Sequence, residues 1–423
     1  MTFSESKYRK LQNCRICEGE FAENSLNLKP TPPANGLYEN YQNAKKAERY
    51  PLEVKMCKRC LHFQLGDIVD PKFLFDHYVY RTGTSQTFDK HFRDFARFIK
   101  KRFPNFHSIL EVGSNDGLLL GHLKQQGFEA VGIEPSDKLV AESVSKSLTV
   151  YQGYFESDLV SSKIGKKKFD LIIGNNVFAH IDDLSAAIKL SGNLLSEKGA
   201  LIFEVAHFLK IVTDGTFDAI YHEHMSYHTV ISMQKFLEME TDLEIFDVEL
   251  ISTHGGSLRF YIGKKGSHEV QVEKIGEVVK IELNNSLNDS RVLTQIEKRI
   301  NQLKNEVKNF LTTIHDSNTF IFGYGAPAKA VTFIAEMELE NIDIEFIIDD
   351  NPDKQDRYLP GSGFKVVSAQ FAKEYSAKSK NRNFCIFFPW NLGEELLLKV
   401  SNLNFLNLGL ISFFPNFKVR SIS

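Results

Sequence analysis

Residues 108–123 read Ser108-Ile-Leu-Glu-Val112-Gly113-Ser-Asn-Asp-Gly117-Leu-Leu-Leu-Gly-His-Leu123. The first five form a short apolar strand, the two glycines bound a turn, and the leucines that follow predict a helix. This order brings backbone N–H groups to the carboxyl end of the strand, where open α/β sheets bind their ligands. We therefore predict a nucleoside-binding α/β domain with its ligand at this turn.

Further strands follow at the spacing of such a sheet. They are predicted at residues 130–134, 169–176 and 199–205. Glu134 ends the first of them, 21 residues after Gly113. A carboxylate at this distance can accept hydrogen bonds from both hydroxyls of an adenosine ribose.

The glycine pattern favours one cofactor over another. Asn115 occupies the place of the middle glycine in a dinucleotide fingerprint, which weakens NAD binding. Glu111 fits the E-x-G-x-x-x-G loop of S-adenosylmethionine-dependent methyltransferases, so we favour S-adenosylmethionine, while NAD and a bare structural turn stay open. The candidate cofactor residues are Glu111, Gly113, Ser114, Asn115, Asp116, Gly117, Glu134, Asn175 and Asn176.

A histidine-rich stretch follows the strand at 199–205. Residues 221–228 read Tyr221-His222-Glu223-His224-Met-Ser-Tyr-His228. Histidine titrates near neutral pH and suits a general base, which Glu223 could orient, and a tyrosine hydroxyl could bind a developing enolate oxygen. His180 follows a strand end on the same rim. The spacing of His222 and His224 is that of a strand and not of a helical zinc site, and a satisfied structural cluster is the alternative.

Four of the five cysteines form two C-x-x-C knuckles, Cys14/Cys17 and Cys57/Cys60. Two knuckles complete a closed four-thiolate zinc site, which leaves no position for substrate and is therefore structural. Two disulfides and a thioredoxin-like redox pair are the alternatives. Disulfides rarely persist in a cytosolic chain, and the first knuckle lies in no βαβ pattern of the kind that a redox pair would have. The proline-rich stretch at 28–35 predicts a loop between the knuckles.

A second glycine turn lies near the C-terminal end. Residues 319–330 run from a strand through Gly323, Tyr324 and Gly325 to a helix with Lys329, and the strand predicted at 344–350 ends in acids. The turn has G-x-G-x-x-A spacing, so it predicts phosphate binding, with true dinucleotide binding or a bare turn as alternatives. A charged, helical stretch at about 268–318 predicts a connecting helix before it.

Composition excludes several classes of protein. The 423 residues carry 51 basic and 54 acidic side chains, a formal charge of −3, so no overall basic field attracts nucleic acid or anionic lipid. No secretory h-region and no apolar run of membrane-spanning length occurs, so we expect a cytoplasmic protein without nucleic-acid or membrane partners.

Taken together, these motifs resemble the S-adenosylmethionine-dependent sugar-nucleotide 3-C-methyltransferases, which build branched deoxysugars. The matching segments span nearly the whole chain: the two knuckles and residues 78–85, 111–117, 176–180, 221–224, 254–259, 323–329 and 388–391. The resemblance implies an α/β protein with a zinc-binding module at 1–75, a class I methyltransferase Rossmann-like domain at 76–275, and a second Rossmann-like domain for nucleotide sugar at 276–423.

The resemblance also implies roles for individual residues. His224 matches the family's base, and the residues expected around the sugar are Tyr221, Glu223, His180, His222, Tyr78 and Tyr80. The residues expected to bind the rest of the substrate are Thr84, Ser85, His254, Arg259, Gly323, Tyr324, Gly325, Lys329 and Asn391, with Arg259 as an anion contact.

The implied substrate is a 4-keto-6-deoxy sugar nucleotide. Its ketone acidifies the C3 hydrogen, His224 removes that hydrogen, and the enolate carbon takes the methyl group. Three other functions stay open: O-methylation of a sugar hydroxyl, NAD-dependent oxidoreduction of a nucleotide sugar, and a non-catalytic zinc-containing scaffold.

Overall fold

The computed structural model describes residues 7–75, 86–251, 255–314, 318–376, 382–390 and 398–422. The strands are β1 (Tyr8–Lys10), β2 (Phe21–Thr31), β3 (Tyr50–Cys57), β4 (Phe63–Leu65), β5 (Asp67–Val69), β6 (Ser108–Val112), β7 (Glu129–Glu134), β8 (Thr149–Gln152), β9 (Phe169–Asn175), β10 (Leu195–Ala206), β11 (Ser226–Tyr227), β12 (Leu243–Ile251), β13 (Ser257–Lys264), β14 (Thr319–Tyr324), β15 (Ile347–Ile348), β16 (Val366–Val367), β17 (Arg382–Phe387), β18 (Leu408–Ser412) and β19 (Lys418–Ile422).

The α-helices are α1 (Tyr41–Lys45), α2 (Pro71–Phe75), α3 (Gln86–Arg102), α4 (Leu118–Gln125), α5 (Asp137–Ser145), α6 (Ser157–Leu159), α7 (Leu184–Leu194), α8 (Phe208–Asp214), α9 (Val230–Glu240), α10 (Val272–Asn284), α11 (Arg291–Ile314), α12 (Lys329–Glu336) and α13 (Ala369–Ser376). A π-helical turn spans Val160–Ile164, and 3₁₀ turns span Phe217–Ala219 and Leu339–Asn341.

The N-terminal module is a small antiparallel sheet in the order β11-β4-β3-β2, with β1 and β5 paired beside it. Its edge strand β2 contains the first part of the proline-rich stretch, which the sequence predicted as loop. Pro30 fits there because the register of β2 against β3 shifts between Leu28 and Thr31, and prolines in sheets occur at such edges and bulges. The fourth strand, β11, comes from the histidine-rich stretch.

The central sheet has seven strands in the order β12-β13-β10-β9-β6-β7-β8. The five strands from β10 to β8 are parallel, and β13 runs antiparallel between β10 and β12. The glycine turn at 113–117 directly follows β6, an interior strand of this sheet. Its position confirms the predicted α/β fold, because ligand sites in open sheets lie at the carboxyl ends of central strands.

Alternating side chains divide this sheet into two faces, as the period of a strand requires. Ile109, Leu171 and Ile173 pack with α3 and α4 in one buried cluster. Leu110 and Ile172 point the other way, into the cluster that contains the helices α7 and α9. Strands covered on both faces explain why their sequences are almost continuously apolar.

The C-terminal sheet has six strands in the order β16-β15-β14-β17-β18-β19, and only β19 is antiparallel to its neighbour. The second glycine turn leaves β14 in the middle of this sheet and leads into α12. Of the strand predicted at 344–350, only β15 (Ile347–Ile348) is formed. This sheet confirms a C-terminal α/β domain with a sheet of its own.

The single connecting helix predicted at about 268–318 is two helices, α10 and α11. The long helix α11 crosses to the N-terminal module, where Asn24 donates to Thr294 Oγ1 (3.4 Å) and accepts from Ser290 Oγ (3.1 Å). One buried cluster contains residues of β2, α11 and α12 together. The N-terminal module is therefore packed against the C-terminal domain.

Among the helices that the structure describes, none combines the length and the apolar character that crossing a membrane would require.

Candidate active site

A cavity of about 670 Å³ lies at the carboxyl ends of β6, β7 and β9. Its walls come from every part of the fold, with Asn35 from the N-terminal module, Glu134 and His224 from the central domain, and Lys329 and Trp390 from the C-terminal domain. A volume of this size holds a ligand of drug size or larger. The motifs predicted separately from the sequence therefore meet at one cavity.

The first glycine turn has the backbone geometry that its sequence indicated. Gly113 has a φ of +67°, and a Cβ atom there would lie 2.7 Å from Val177. Gly117, with a φ of +77°, precedes the first residue of α4. Glu134 accepts hydrogen bonds from the backbone N–H of Asn115 (3.0 Å) and of Ser136 (3.1 Å). The acid at the end of β7 thus closes the turn at the cavity wall.

Several polar atoms at this turn are buried in the cavity wall. Within the described residues, Glu111 Oε2, Ser114 Oγ and both amide atoms of Asn175 have no hydrogen-bond partner. Burial raises the pKa of Glu111 well above its ordinary value, and nearby Asp116 and Glu134 add to this effect. Buried polar groups without partners point to a ligand that supplies them. Acceptors and donors of this kind fit the amino acid and ribose portions of S-adenosylmethionine.

Two further cofactor residues predicted from the sequence also line the cavity. The backbone N–H of Asp116 donates to Asn115 Oδ1 at 2.9 Å. Asn176 has a φ of +56° and donates its backbone N–H to the carbonyl of Glu204 (2.7 Å). The turn after β9 therefore presents Asn175 and Asn176 to the cavity beside the first glycine turn.

His224 is held in one tautomer by its two hydrogen bonds. Its Nδ1 lies 2.8 Å from the carbonyl oxygen of Ala219, which can only accept, so Nδ1 carries the proton. Its Nε2 therefore accepts from the hydroxyl of Tyr221 at 2.8 Å. A histidine on a cavity wall, with Nδ1–H on a carbonyl and an unprotonated Nε2, has the arrangement of a general base.

His180 lies beside His224 on the cavity wall. The ring centroids of the two histidines are 5.0 Å apart, and Phe75 stacks on the other side of His180 at 5.6 Å. Burial lowers the pKa of His180 well below its ordinary value, and the neighbouring His224 lowers it further. His180 is therefore neutral at physiological pH and can act as a hydrogen-bonding group next to the base.

The side-chain hydrogen bonds of Glu223 join it to Asn35 and not to His224. Both of its carboxylate oxygens accept from the side-chain amide of Asn35 at 2.8 Å. Burial raises the pKa of Glu223 to about 7, against the lowering effect of the Asn35 hydrogen bonds. The prediction that Glu223 orients His224 is therefore wrong, because the carbonyl of Ala219 holds the His224 ring. Glu223 instead holds Asn35, a cavity residue of the N-terminal module.

His222 does not line the cavity, although Tyr221 and His224 do. Tyr221–His224 forms a turn, closed by a backbone bond from His224 to Tyr221 (2.9 Å), and not the strand that the spacing predicted. The turn directs His222 to the carbonyls of Tyr50 (3.3 Å) and Pro51 (3.2 Å), and burial lowers its pKa to about 4. His222 is therefore placed as a structural contact with β3.

The second glycine turn resembles the first in its backbone conformation and in its hydrogen bond to an acid at the end of the next strand. Gly325 has a φ of +80°, and a Cβ atom there would lie 2.7 Å from Pro389. Ala326 donates its backbone N–H to Asp349 at 2.7 Å, as Asn115 does to Glu134. Lys354 donates to the carbonyl of Ala326 at 2.7 Å and also lines the cavity.

Lys329 brings a cationic group to the C-terminal wall of the cavity. Its Nζ lies 3.8 Å from the ring centroid of Trp390, whose indole N–H donates to Asp218 at 2.8 Å. Burial lowers the pKa of Lys329 to about 8, partly offset by the charge of Asp218, whose own pKa burial raises to about 6. The ammonium is therefore close to losing its charge in the absence of an anionic ligand.

Among the described residues, four predicted substrate residues lie outside the cavity wall: Gly323, Tyr324, Gly325 and Arg259. Gly323 allows β14 to approach Ile347 and Phe388 closely, and the Tyr324 hydroxyl donates to Asp350 at 3.3 Å. Arg259 on β13 is buried between Glu204 (3.0 Å) and Glu249 (3.1 Å). Two carboxylates already neutralise Arg259, so its placement does not support the predicted contact with a substrate anion.

The four cysteines form a compact buried cluster. Their sulfurs all lie within 4.8 Å of one another, with Cys14 and Cys60 at 3.6 Å and Cys17 and Cys57 at 3.5 Å. A tetrahedral zinc ion with Zn–S bonds of about 2.3 Å requires S···S distances of about 3.8 Å. The donor set and its spacing therefore fit a structural zinc ion, and they leave no coordination position for substrate.

The roles of six predicted site residues remain predictions, because these residues lie outside the part of the chain that the structure describes: Tyr78, Tyr80, Thr84, Ser85, His254 and Asn391.

The structure adds cavity residues that the sequence did not indicate. Asn35 lies in a proline-rich stretch far from every other motif, and Lys354 and Tyr154 follow short segments without a recognised pattern. Trp390, the single tryptophan of the chain, lies within the segment 388–391 that carried the resemblance, although only Asn391 of that segment was predicted as a site residue.

Comparison with protein families gives three matches in order along the chain. A "Putative zinc binding domain" matches residues 14–75, a "Methyltransferase domain" matches 84–245, and a "C-methyltransferase C-terminal domain" matches 252–415. The C-methyltransferase NovU of Streptomyces niveus is 25% identical over 395 residues, which cover 92% of each chain. An uncharacterized methyltransferase of Alkaliphilus oremlandii (strain OhILAs) is 31% identical over 97 residues, which cover 22% of this chain and 43% of its own.

Solved structures show a weaker likeness. Magnesium protoporphyrin IX methyltransferase (ChlM) of Synechocystis PCC 6803, with bound SAH, has a TM-score of 0.33 and 18% identity over 42% of this chain and 83% of its own. DesVI of Streptomyces venezuelae has a TM-score of 0.34 and 15% identity over 42% of this chain and 93% of its own. Scores this low carry no comparison of function.

The family matches agree with the geometry of the site. The zinc-binding match contains all four cysteines, and the methyltransferase match contains the first glycine turn, His180 and His224. The matches confirm the resemblance found in the sequence and the two predicted cofactors, S-adenosylmethionine and a structural zinc ion. With three family matches in this order and a C-methyltransferase relative over 92% of its length, the chain is an S-adenosylmethionine-dependent C-methyltransferase.

Proposed function

We propose that the enzyme methylates C3 of a nucleotide-linked 4-keto-6-deoxy sugar by way of an enolate. The observation that carries this proposal is the continuity of the cavity, which joins the first glycine turn, His224 with Tyr221, and the cationic wall at Lys329. A cofactor, a reacting sugar and a phosphate group could then be bound side by side. The resemblance found in the sequence supports the sugar and its position of methylation.

Bound S-adenosylmethionine would supply an electrophilic methyl group on a sulfonium sulfur. The chain's own contribution is to generate and hold a carbon nucleophile. The Tyr221 hydroxyl turns from His224 Nε2 to the substrate oxygen, and Nε2 then takes the C3 proton while the electron pair of the C–H bond moves into the enolate. The enolate carbon then forms the new C–C bond as the S–CH3 bond breaks, which leaves S-adenosylhomocysteine, a protonated His224 and the ketone.

The hydrogen bonds of His224 suit this role. The carbonyl of Ala219 stabilises the imidazolium that forms, because it already accepts the Nδ1 proton (2.8 Å). The Tyr221 hydroxyl and the neutral His180 are the polar groups beside the base, and either can donate to an enolate oxygen. Stabilisation of this oxygen lowers the pKa of the C3 hydrogen into the range that a histidine can deprotonate.

The nucleotide end is assigned to the C-terminal wall. Lys329 and Lys354 both line the cavity there, beside the first turn of α12. A diphosphate restores the ordinary charge state of Lys329, because an anion favours the ammonium form. Gly323, Tyr324 and Gly325 then act through the backbone shape of the turn and not through side-chain contacts.

The test is incubation with S-adenosylmethionine and a panel of dTDP- and GDP-linked 4-keto-6-deoxyhexoses in deuterated water, followed by mass spectrometry and proton NMR. We expect one added methyl group on carbon C3 and exchange of the C3 hydrogen with solvent when S-adenosylhomocysteine replaces the donor. A methyl group on oxygen would assign O-methylation instead. No mass gain with any panel member would contradict the proposed substrate class.

A further inference from the structure

One side chain of the zinc module reaches both segments that carry the cavity histidines. Arg15 lies between Cys14 and Cys17 in the first knuckle and is buried in the interior. Its Nη1 donates to the carbonyls of Ile181 (3.1 Å) and Asp182, directly after His180. Its Nη2 donates to the second segment, which carries His224.

In that second segment, Arg15 Nη2 donates to the carbonyl of Met225 (2.8 Å) and to the hydroxyl of Ser226 (2.7 Å), directly after His224. The rigid guanidinium presents Nη1 and Nη2 to the two sets of acceptors at once, which a point charge such as lysine cannot do. A single residue of the zinc knuckle therefore ties the His180 segment to the His224 segment.

The surrounding backbone bonds strengthen this connection. Met225 and Ser226 both donate to the carbonyl of Ala179, at 2.8 and 3.1 Å, so the two segments also meet directly. Ser226 begins β11, which pairs with β4 of the zinc module's sheet. Arg9 of β1 holds the Asp182 carboxylate in a bidentate pair at 2.6 and 2.9 Å. The N-terminal module thus contacts both segments, through Arg15, Arg9 and β4.

We propose that Arg15 is a positioning residue, which couples the zinc knuckle to the geometry of His180 and His224. The zinc ligands on either side of Arg15 fix its backbone, and its guanidinium fixes the spacing of the two histidines. This inference rests on the proposed role of His224 as the base. It gives the zinc module a part in catalysis that a closed metal site would not have by itself.

The test compares Arg15→Gln and Arg15→Lys with a matched control, Arg59→Gln. Arg59 belongs to the second knuckle. Its guanidinium donates to the carbonyl of Cys17 (2.7 Å) and pairs with Glu240 (3.2 Å) on α9, and neither of these contacts joins it to the segments of His180 and His224. Zinc content, S-adenosylhomocysteine affinity, thermal stability, kcat and KM are measured for each, with the panel sugar that the unaltered enzyme methylates. Exchange of the C3 hydrogen in deuterated water is measured with S-adenosylhomocysteine bound.

We expect Arg15→Gln to retain one zinc ion and to bind S-adenosylhomocysteine within about twofold of the unaltered enzyme. Its kcat and its C3–H exchange rate should fall together by about 100-fold, the order expected when reacting groups move by about 1 Å. Arg15→Lys should recover part of both rates, because an ammonium reaches one segment but not both. Arg59→Gln should leave kcat unchanged even where it lowers thermal stability.

Three results would contradict either the role of Arg15 or the proposed base. A kcat within twofold of the unaltered enzyme in Arg15→Gln would show that Arg15 only stabilises the fold, and would overturn the inference. If the Arg15 variants do not fold, Ser226→Ala removes one Arg15 partner alone, and an unchanged exchange rate there would also overturn it. His224→Ala is run beside them: turnover in that variant would refute the proposed base, whatever the Arg15 variants do.

Discussion

Glu223 offers a test of the cavity's architecture that needs no substrate. It is buried, with about 1% of its surface exposed, and its pKa of about 7 exceeds the ordinary value of 4.5 because burial disfavours the carboxylate. A folded-state pKa above the unfolded one means that the folded protein binds the proton more tightly between these two pH values. The contribution of Glu223 to stability therefore falls as the pH rises from 4.5 through 7.

The size of this effect follows from the two pKa values. Each unit is worth about 1.4 kcal/mol, so ionised Glu223 costs about 3 kcal/mol above pH 7 and nothing extra below pH 4.5. Glu223→Gln cannot ionise and keeps an acceptor for Asn35. The free energy of unfolding of this variant, relative to that of the unaltered protein, should therefore rise by about 3 kcal/mol between pH 4.5 and pH 8.

The assay is thermal unfolding of both proteins at steps from pH 5 to pH 8. For a chain of 423 residues the entropy of unfolding is about 0.9 kcal/mol/K, so the difference between the two Tm values should change by about 3 °C over this range. Glu238→Gln, at an exposed position of α9, is the matched control and should show a constant difference. Parallel curves for Glu223→Gln and the unaltered protein would refute the burial of this carboxyl against Asn35.

Four further predictions concern the site directly. His224→Ala should abolish methyl transfer but leave S-adenosylhomocysteine binding intact, and calorimetry with a turnover assay checks both; near-normal turnover would move the role to another cavity residue. Glu134→Gln should weaken S-adenosylhomocysteine binding by about 10- to 100-fold, the worth of hydrogen bonds to a charged acceptor, and an unchanged Kd would exclude its role at the ribose. Cys60→Ser should lower bound zinc and Tm together, measured by metal analysis and calorimetry, because the metal contributes folding energy; a variant that keeps full zinc would contradict the four-thiolate site. The KM for the nucleotide sugar should rise above pH 8, where Lys329 loses its charge, and Lys329→Gln should raise KM at every pH and remove this dependence; an unchanged pH profile in that variant would place the phosphate elsewhere.

Local backbone patterns were predicted well because they depend on neighbours in sequence. The strand Ser108–Val112 and the following helix from Leu118 were found at their observed positions. The pairs of cysteines needed only their spacing, since each knuckle is a local structure. Errors arose where the tertiary context decides between local alternatives. Residues 28–31 became an edge strand because β3 lies beside them, and Tyr221–His224 became a turn that sends its two histidines in opposite directions.

The sequence by itself determined the classes of chemistry in this protein: a four-thiolate metal site, a nucleoside-binding turn, and a cluster of groups able to move a proton. Only the tertiary structure decided which groups act together. Asn35, His224 and Lys329 come from three parts of the chain with no common motif, and they reach one cavity through contacts between residues as far apart as Asn35 and Glu223. Such contacts depend on the packing of whole sheets against one another, whereas a motif records only the backbone geometry within a few residues of itself.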